Sequence, residues 1–220
     1  MDQELIHVYL MPGMAANPSI FEYIKLPEDQ FKIHWLEWEI PLKKESLQDY
    51  AKRMCLKVTE RKPVLLGVSF GGVLVQEMSK FLDLRKLILV STVKTKYEIP
   101  KRLQLVAKTK AYKILPTQLL GNVKLLAKYV FGETLTKRAK LYEKYLSVSN
   151  KRYLNWAIRE MVCWNQEIPI PNCIHIHGED DAVFPIANIS NYKPIAKGTH
   201  VMIIYKYKWF NQNLPKIILS

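Results

Sequence analysis

Pro63-Val64-Leu65-Leu66-Gly67-Val68-Ser69-Phe70-Gly71-Gly72 is the stretch on which the reading of this chain turns. The apolar run from Val64 to Val68 has the length and composition of a buried strand. After Ser69, the residues Val73, Leu74, Val75, Met78 and Phe81 recur at helical spacing, which predicts a helix over about 71–81. A G-x-S-x-G match between a strand and a helix is the context that gives this short motif meaning. The glycines have a steric reason: the turn is strained and packs tightly on neighbouring backbone, so side chains beside the serine would clash. Such a turn holds the hydroxyl clear of the sheet and at a helix N-terminus, where the dipole favours developing negative charge. The plainer alternative is a glycine-rich turn with an incidental serine. The matching strand and helix favour Ser69 as a nucleophile.

Outward from this turn, the first half of the chain alternates strand-length apolar runs with helical patterns, as an α/β sheet does. Leu5–Leu10 reads as a buried strand ending at Pro12-Gly13, and Phe31–Leu36 as a second. Ser46 is placed to cap a helix running to about Thr59, with Leu47, Tyr50, Ala51 and Met54 on one face. Lys86–Val90 is a fourth strand. From about 96 to 150 no strand signal appears. There, Leu103, Val106, Ala107 and Ile114 share a helical face, as do Leu119, Val123, Leu126 and Val130, then Leu135, Ala139, Tyr142 and Leu146. A helix near Arg152–Trp164 leads back to strand Cys173–His177. A short strand follows at Lys193–Ile195, then a closing helix over Trp209–Leu219 that Pro215 is placed to break.

A serine hydroxyl needs a base to take its proton. Of the five histidines, His7, His34 and His175 fall inside strand patterns. His177 ends a strand and is the alternative candidate. His200, in a loop before the closing helix, is the candidate base. The base needs a carboxylate to fix its tautomer and stabilise the imidazolium. The loop after the fourth strand, Ser91-Thr92-Val93-Lys94, has none, whereas His177-Gly178-Glu179-Asp180-Asp181 supplies three. The acid is therefore sought among Glu179, Asp180 and Asp181.

Composition narrows the class. At 220 residues and 49% apolar, the chain is long enough for one sizeable core. Met1-Asp2-Gln3-Glu4 lacks the basic region of a signal peptide, and no apolar run approaches the length of a membrane span. Cys55, Cys163 and Cys173 are too few and scattered for a disulfide framework or a zinc site, so reduced thiols in a cytoplasmic protein are expected. The net charge of +13 is concentrated. Lys94–Arg152 holds 15 Lys and Arg against Glu98, Glu133 and Glu143, leaving the rest near neutral.

These residues resemble the α/β-hydrolase superfamily, over nearly the whole chain. The order Ser, Asp, His is the one that fold uses. The superfamily's acid motif places a glycine three residues before the aspartate and a proline four after it. Gly178, Asp181 and Pro185 match it, which selects Asp181. The resemblance implies an α/β fold with a mostly parallel central sheet flanked by helices. It divides the chain into a core of 1–95 and 165–220 and a basic, α-helical lid insertion of 96–164. It also implies an oxyanion loop at Pro12-Gly13-Met14, with the backbone N–H groups of Met14 and Phe70 as donors. The chain has Pro12-Gly13 where the family commonly has His-Gly, which keeps the donors but removes a histidine from the loop. The two short strands that begin larger members are missing.

The implied activity is hydrolysis of a carboxylic ester or thioester through an acyl-enzyme, without metal or organic cofactor. C–C bond hydrolysis or lyase chemistry with the same triad, or ligand binding without turnover, are the alternatives. Trp156, Met161 and Trp164, near one face of the re-entering helix, are candidate pocket residues, with Leu103, Leu126 and Phe131 behind them. Packing of lid on core is the plainer reading of all six. The basic lid is either a solvated face or a field that recruits an anionic substrate or touches an acidic membrane surface. No nucleic-acid recognition module accompanies the charge, so a nucleic-acid partner is not expected.

Overall fold

The computed structural model describes residues 4–110, 112 and 144–220. Among the described residues, six strands form one sheet: β1 (Ile6–Met11), β2 (Phe31–Trp35), β3 (Val64–Val68), β4 (Lys86–Val90), β5 (Ile174–Gly178) and β6 (Lys193–Ile195). Their order is β2-β1-β3-β4-β5-β6, and every pairing is parallel. All five residues of β3 are buried, so side chains on both faces of the central sheet are covered. That is why its sequence is a continuous apolar run rather than an alternation. The edge strand β2 buries Phe31 and exposes Trp35.

The chain passes from β1 outward to β2, then returns to place β3 on the other side of β1. The strand order therefore reverses between β1 and β3. In open parallel sheets the crevice beyond the carboxyl ends at such a reversal is where ligands bind. Here the segments leaving those ends are Pro12-Gly13-Met14 and Ser69.

The helices follow the predicted faces. Helix α1 (Leu47–Cys55) is capped by Ser46, whose side chain accepts from the Asp49 N–H, and buries Leu47, Tyr50, Ala51 and Met54. It stops four residues short of Thr59, because Lys57 and Val58 close tighter three-residue turns onto Met54 and Cys55. Helix α2 (Phe70–Met78) starts directly after Ser69 and is buried along its length. Helices α3 (Lys101–Lys108) and α4 (Lys151–Val162) are the described parts of the predicted insertion. The expected faces built on Leu119–Val130 and Leu135–Tyr142, together with Ile114, lie outside the described residues. The chain closes with α5 (Met202–Tyr205) and α6 (Tyr207–Leu219).

One expectation is corrected in α6: Pro215 does not break it. An interior proline costs a helix roughly 3 kcal/mol. Here Phe210, Leu214, Ile217 and Ile218 are buried against the core, and the Lys86 ammonium donates to the Ile217 carbonyl at 2.8 Å. The docked face holds the helix through the missing hydrogen bond. Among the described residues, no helix is long and apolar enough to cross a membrane.

Candidate active site

Ser69 sits in a strained conformation, φ 53° and ψ −122°, between β3 and α2. A non-glycine residue with this φ persists only when its surroundings over-determine it. Here the Ser69 N–H donates to the Val90 carbonyl at 2.9 Å, and its carbonyl accepts from the Gly72 N–H at 2.9 Å and the Thr92 hydroxyl at 2.7 Å. A Cβ on Gly71 would fall 2.3 Å from the Pro12 carbonyl oxygen, and one on Gly67 2.4 Å from the Gly71 oxygen. The flanking glycines thus let the loop after β1 press against the serine turn.

The loops after β5 and β6 bring the other two side chains to Ser69. His200 Nε2 lies 2.9 Å from Ser69 Oγ, and His200 Nδ1 lies 2.9 and 3.1 Å from the two oxygens of Asp181. A Cβ on Gly178 would meet the Gly198 oxygen at 2.2 Å, so only glycine lets these loops close on each other. The Asp180 N–H donates to Gly198 at 2.8 Å and the Glu179 N–H to Ile195 at 3.1 Å, which stitches them together. Asp181 is buried, whereas Glu179 and Asp180 are exposed. Its Oδ1 accepts from the Val183 and Phe184 N–H groups at 2.8 and 2.9 Å. Burial pushes the Asp181 carboxyl up, but His200, the Phe184 amide and His177 together hold it below the usual carboxylate value. With the carboxylate ionised, His200 Nδ1–H donates to it and Nε2 is left as an acceptor facing the serine hydroxyl.

Two more histidines lie behind Asp181. His177 Nε2 is 2.8 Å from the Phe184 carbonyl and 3.5 Å from Asp181 Oδ2, and its Nδ1 is 3.2 Å from His175 Nε2. The Phe184 carbonyl can only accept, so His177 carries its proton on Nε2 and His175 donates to its Nδ1. His175 Nδ1 then has no partner among the described residues. Burial, with His177 and Lys94 nearby, depresses the His175 imidazole to about 3, and burial also lowers His177. Both are neutral core histidines. His7 and His34 stack on each other across β1 and β2, apart from Ser69.

The loop after β1 is braced by residues the sequence did not mark. The Trp38 indole N–H donates to the Gly13 carbonyl at 2.8 Å. In a trans peptide the carbonyl and the following N–H point in opposite directions, so this bond aims the Met14 N–H away from Trp38. The Tyr153 hydroxyl, fully buried, accepts the Ala15 N–H at 3.2 Å. The Trp38 ring also stacks on Phe70 at 5.1 Å. Among the described residues, neither the Met14 nor the Phe70 backbone N–H has a hydrogen-bond acceptor. Trp38 and Tyr153 together brace the loop that follows β1.

Two chambers adjoin Ser69 and His200, which line both. The larger, about 130 Å³, is lined by Phe70, Leu103, Ile158, Met161, Val162 and Phe184 among others. The smaller, about 60 Å³, is lined by Ile20, Tyr145, Val201, Ile203 and Ile204 among others, and Met14 and Leu146 border both. Met161 and Leu103 therefore face the site. Trp156 and Trp164 do not. The Trp156 indole donates to the Glu45 carbonyl at 2.9 Å and its ring packs on Tyr50, while the Trp164 indole donates to Glu77 at 2.8 Å. Each indole N–H needed a buried acceptor and found one in the core, which turns the ring away from the cavity. Leu126 and Phe131 lie outside the described residues. No group of side chains suited to hold a metal ion occurs among the described residues.

No protein-family model matches the chain. No curated protein matches it in sequence. Solved structures do match in shape. An esterase from Exiguobacterium antarcticum aligns with a TM-score of 0.69 at 17% identity, covering 100% of this chain and 94% of its own. A thermophilic esterase from Thermogutta terrifontis gives 0.67 at 16% identity, over 98% and 90%. A bromoperoxidase from Bacillus anthracis gives 0.68 at 16% identity, over 99% and 93%. These likenesses run nearly end to end, and the parallel six-stranded sheet agrees with them. The chain has the α/β-hydrolase fold.

Proposed function

We propose that the protein is a serine hydrolase that cleaves a carboxylic ester through an acyl-enzyme. The observation that carries this is the continuous line from Ser69 Oγ through His200 to the buried Asp181. In this reading His200 Nε2 takes the hydroxyl proton as Ser69 Oγ bonds to the ester carbonyl carbon. Asp181 stabilises the imidazolium, and the N–H groups of Met14 and Phe70 bind the oxyanion. Collapse breaks the bond to the alkoxy oxygen, which takes the proton from His200. Water then repeats the sequence on the acyl-enzyme and frees the acid. Residues 96–164 serve as the lid, with Leu103, Ile158 and Met161 as its described contribution to the cavity wall. Two of the structural neighbours being esterases supports ester hydrolysis, and thioesters fall within the same chemistry.

Reaction with a fluorophosphonate followed by peptide mass spectrometry tests the assignment. The adduct is expected on Ser69, and Ser69→Ala should lower ester turnover on the order of 10⁵-fold or more while the chain stays folded. An adduct on another serine, or turnover that survives the substitution, would refute it.

A further inference from the structure

The two chambers differ in size and in position relative to His200, and the difference selects a substrate. Rested on the reading of Ser69 as nucleophile, we infer that the substrate is an uncharged ester of an aliphatic acid of about six carbons with a smaller alcohol. The acyl chain occupies the larger chamber and the alcohol the smaller. A dry apolar cavity of about 150 Å³ accepts a benzene-sized guest, so the larger chamber, at about 130 Å³, holds some six carbons within its described walls. The smaller, at about 60 Å³, takes half of that or less.

Orientation follows from the proton. The alkoxy oxygen must receive its proton from His200 Nε2, so the alcohol must hang on the histidine side of the reacting carbon. The smaller chamber is walled by the residues that follow the base, Val201, Ile203 and Ile204. The larger one runs instead over Phe70, whose N–H is an oxyanion donor, toward Ile158 and Met161 on α4. An acyl group bonded to Ser69 with its oxygen at that donor therefore extends into the larger chamber. The chemistry of the walls sets the charge. Among the described lining residues of both chambers, His200 is the one side chain with a basic nitrogen, and no carboxylate, Lys or Arg appears. A charged acyl or alcohol tail would be stripped of water there without a partner.

Ethyl hexanoate and hexyl acetate are isomers that differ only in which side of the ester bears the long chain, so their rates read the orientation directly. With wild-type enzyme, kcat/KM measured by pH-stat is expected to favour ethyl hexanoate on the order of tenfold to a hundredfold, the range a few methylenes in a fitted pocket confer. Ile158→Phe, at a half-buried position in the larger chamber, should lower ethyl hexanoate at least tenfold more than ethyl acetate. Ile204→Phe, also half-buried, should lower ethyl hexanoate more than methyl hexanoate. A preference for hexyl acetate, or equal rates, overturns the orientation. A fluorophosphonate adduct on Ser69 without turnover of either isomer overturns the substrate class while leaving the nucleophile in place. Turnover that survives Ser69→Ala overturns the underlying reading instead.

Discussion

The two flanks of Ser69 are built in different ways. On the flank proposed to supply the base, Asp181 and His200 are 19 residues apart, on the loops leaving adjacent strands, and Asp181 is fixed by amides two and three residues ahead of it. On the flank proposed to bind the oxyanion, Gly13 is held by Trp38, 25 residues away, and Ala15 by Tyr153, 138 residues away. One flank is set chiefly by turns within and between the two neighbouring loops. The other depends on two aromatic side chains delivered by the finished fold. Loss of local geometry should therefore act at one residue on the base flank, while the oxyanion flank should be weakened from a distance.

The largest effect that can sharpen this contrast is expected at Asp181. Asp181→Asn keeps the shape but offers the wrong partner to His200 Nδ1, and kcat should fall on the order of 10³ to 10⁴. Asp180→Asn and Glu179→Gln, at exposed positions, should each stay within roughly threefold of wild type. Steady-state kinetics on a single ester decides the matter. If Asp180 proves as sensitive as Asp181, the base flank is not fixed by this one turn.

A smaller loss is expected at Trp38. Removing an oxyanion donor outright costs about 10² to 10³ in kcat. Trp38→Phe leaves the Met14 N–H in place and only frees its peptide to turn, so a fall on the order of tenfold to a hundredfold is expected. KM should change little, and affinity for a trifluoromethyl ketone, which mimics the tetrahedral intermediate, should fall in step with kcat. A packing role alone would lower the melting temperature and leave that inhibitor's affinity unchanged. Tyr153→Phe, which frees Ala15 rather than Met14, should cost less.

That contrast also explains what was readable from sequence. The strands and the face of α1 were legible because burial on a sheet or a helix imposes a period on nearby residues. The serine turn and the acid loop were legible for a related reason: each is a local steric problem that needs glycine at fixed spacing, as the Gly71 and Gly178 contacts show. Trp38 and Tyr153 carry no such signature, since nothing near them in the chain records which carbonyl or amide they will meet. Trp156 and Trp164 follow the plainer of their two readings, packing on the core, and which of the two would hold was illegible for the same reason. Their helical face predicted burial correctly, but the acceptors that orient their indoles, on Glu45 and Glu77, are set by tertiary packing. Pro215 misled in the opposite direction, because a local penalty was outweighed by a buried helix face.

The base flank should also be where acid first loosens the fold. His175 is held at about 3 against an ordinary 6.5, by burial first and then by His177 and Lys94. As pH falls below 6.5 the unfolded chain binds a proton there and the folded chain does not, so stability is lost down to the folded value. One such proton gives a slope of about 1.4 kcal/mol per pH unit. Asp181 has its carboxyl lowered below 3.8, so its contribution is lost only under that value, outside the window from about pH 4 to pH 6. His177 and His34 are lowered too and add to the wild-type slope. Urea unfolding across this window should therefore show a slope about 1.4 kcal/mol per unit shallower in His175→Gln than in wild type, whatever the substitution does to absolute stability. Parallel curves would mean that His175 is protonated in the folded protein.

The smallest effect concerns the charge of residues 94–152, and it asks whether that segment acts on either flank through its field. Several of the cations there are already engaged with the core. Lys96 pairs with Glu167 and Lys144 with Glu22, while Lys94 is buried near Glu98. Arg102 donates to the carbonyls of Ala182 and Val183 at 2.7 and 3.0 Å, which ties α3 to the acid loop. These groups act as short-range fasteners, and paired charges project little field beyond a few ångströms. The chambers themselves are apolar where described. For ethyl hexanoate, kcat/KM should therefore stay within about twofold between roughly 0.05 and 1 M salt, although the Debye length shrinks several-fold over that range. The probe that could break this is monoethyl adipate, of the same length with a terminal carboxylate. If the segment's lysines steer substrate, its kcat/KM will be high at low salt and fall steeply as salt is added. A slow rate with no salt dependence is the expected result, because the carboxylate must give up its water to enter an apolar chamber before any attraction at the rim can matter.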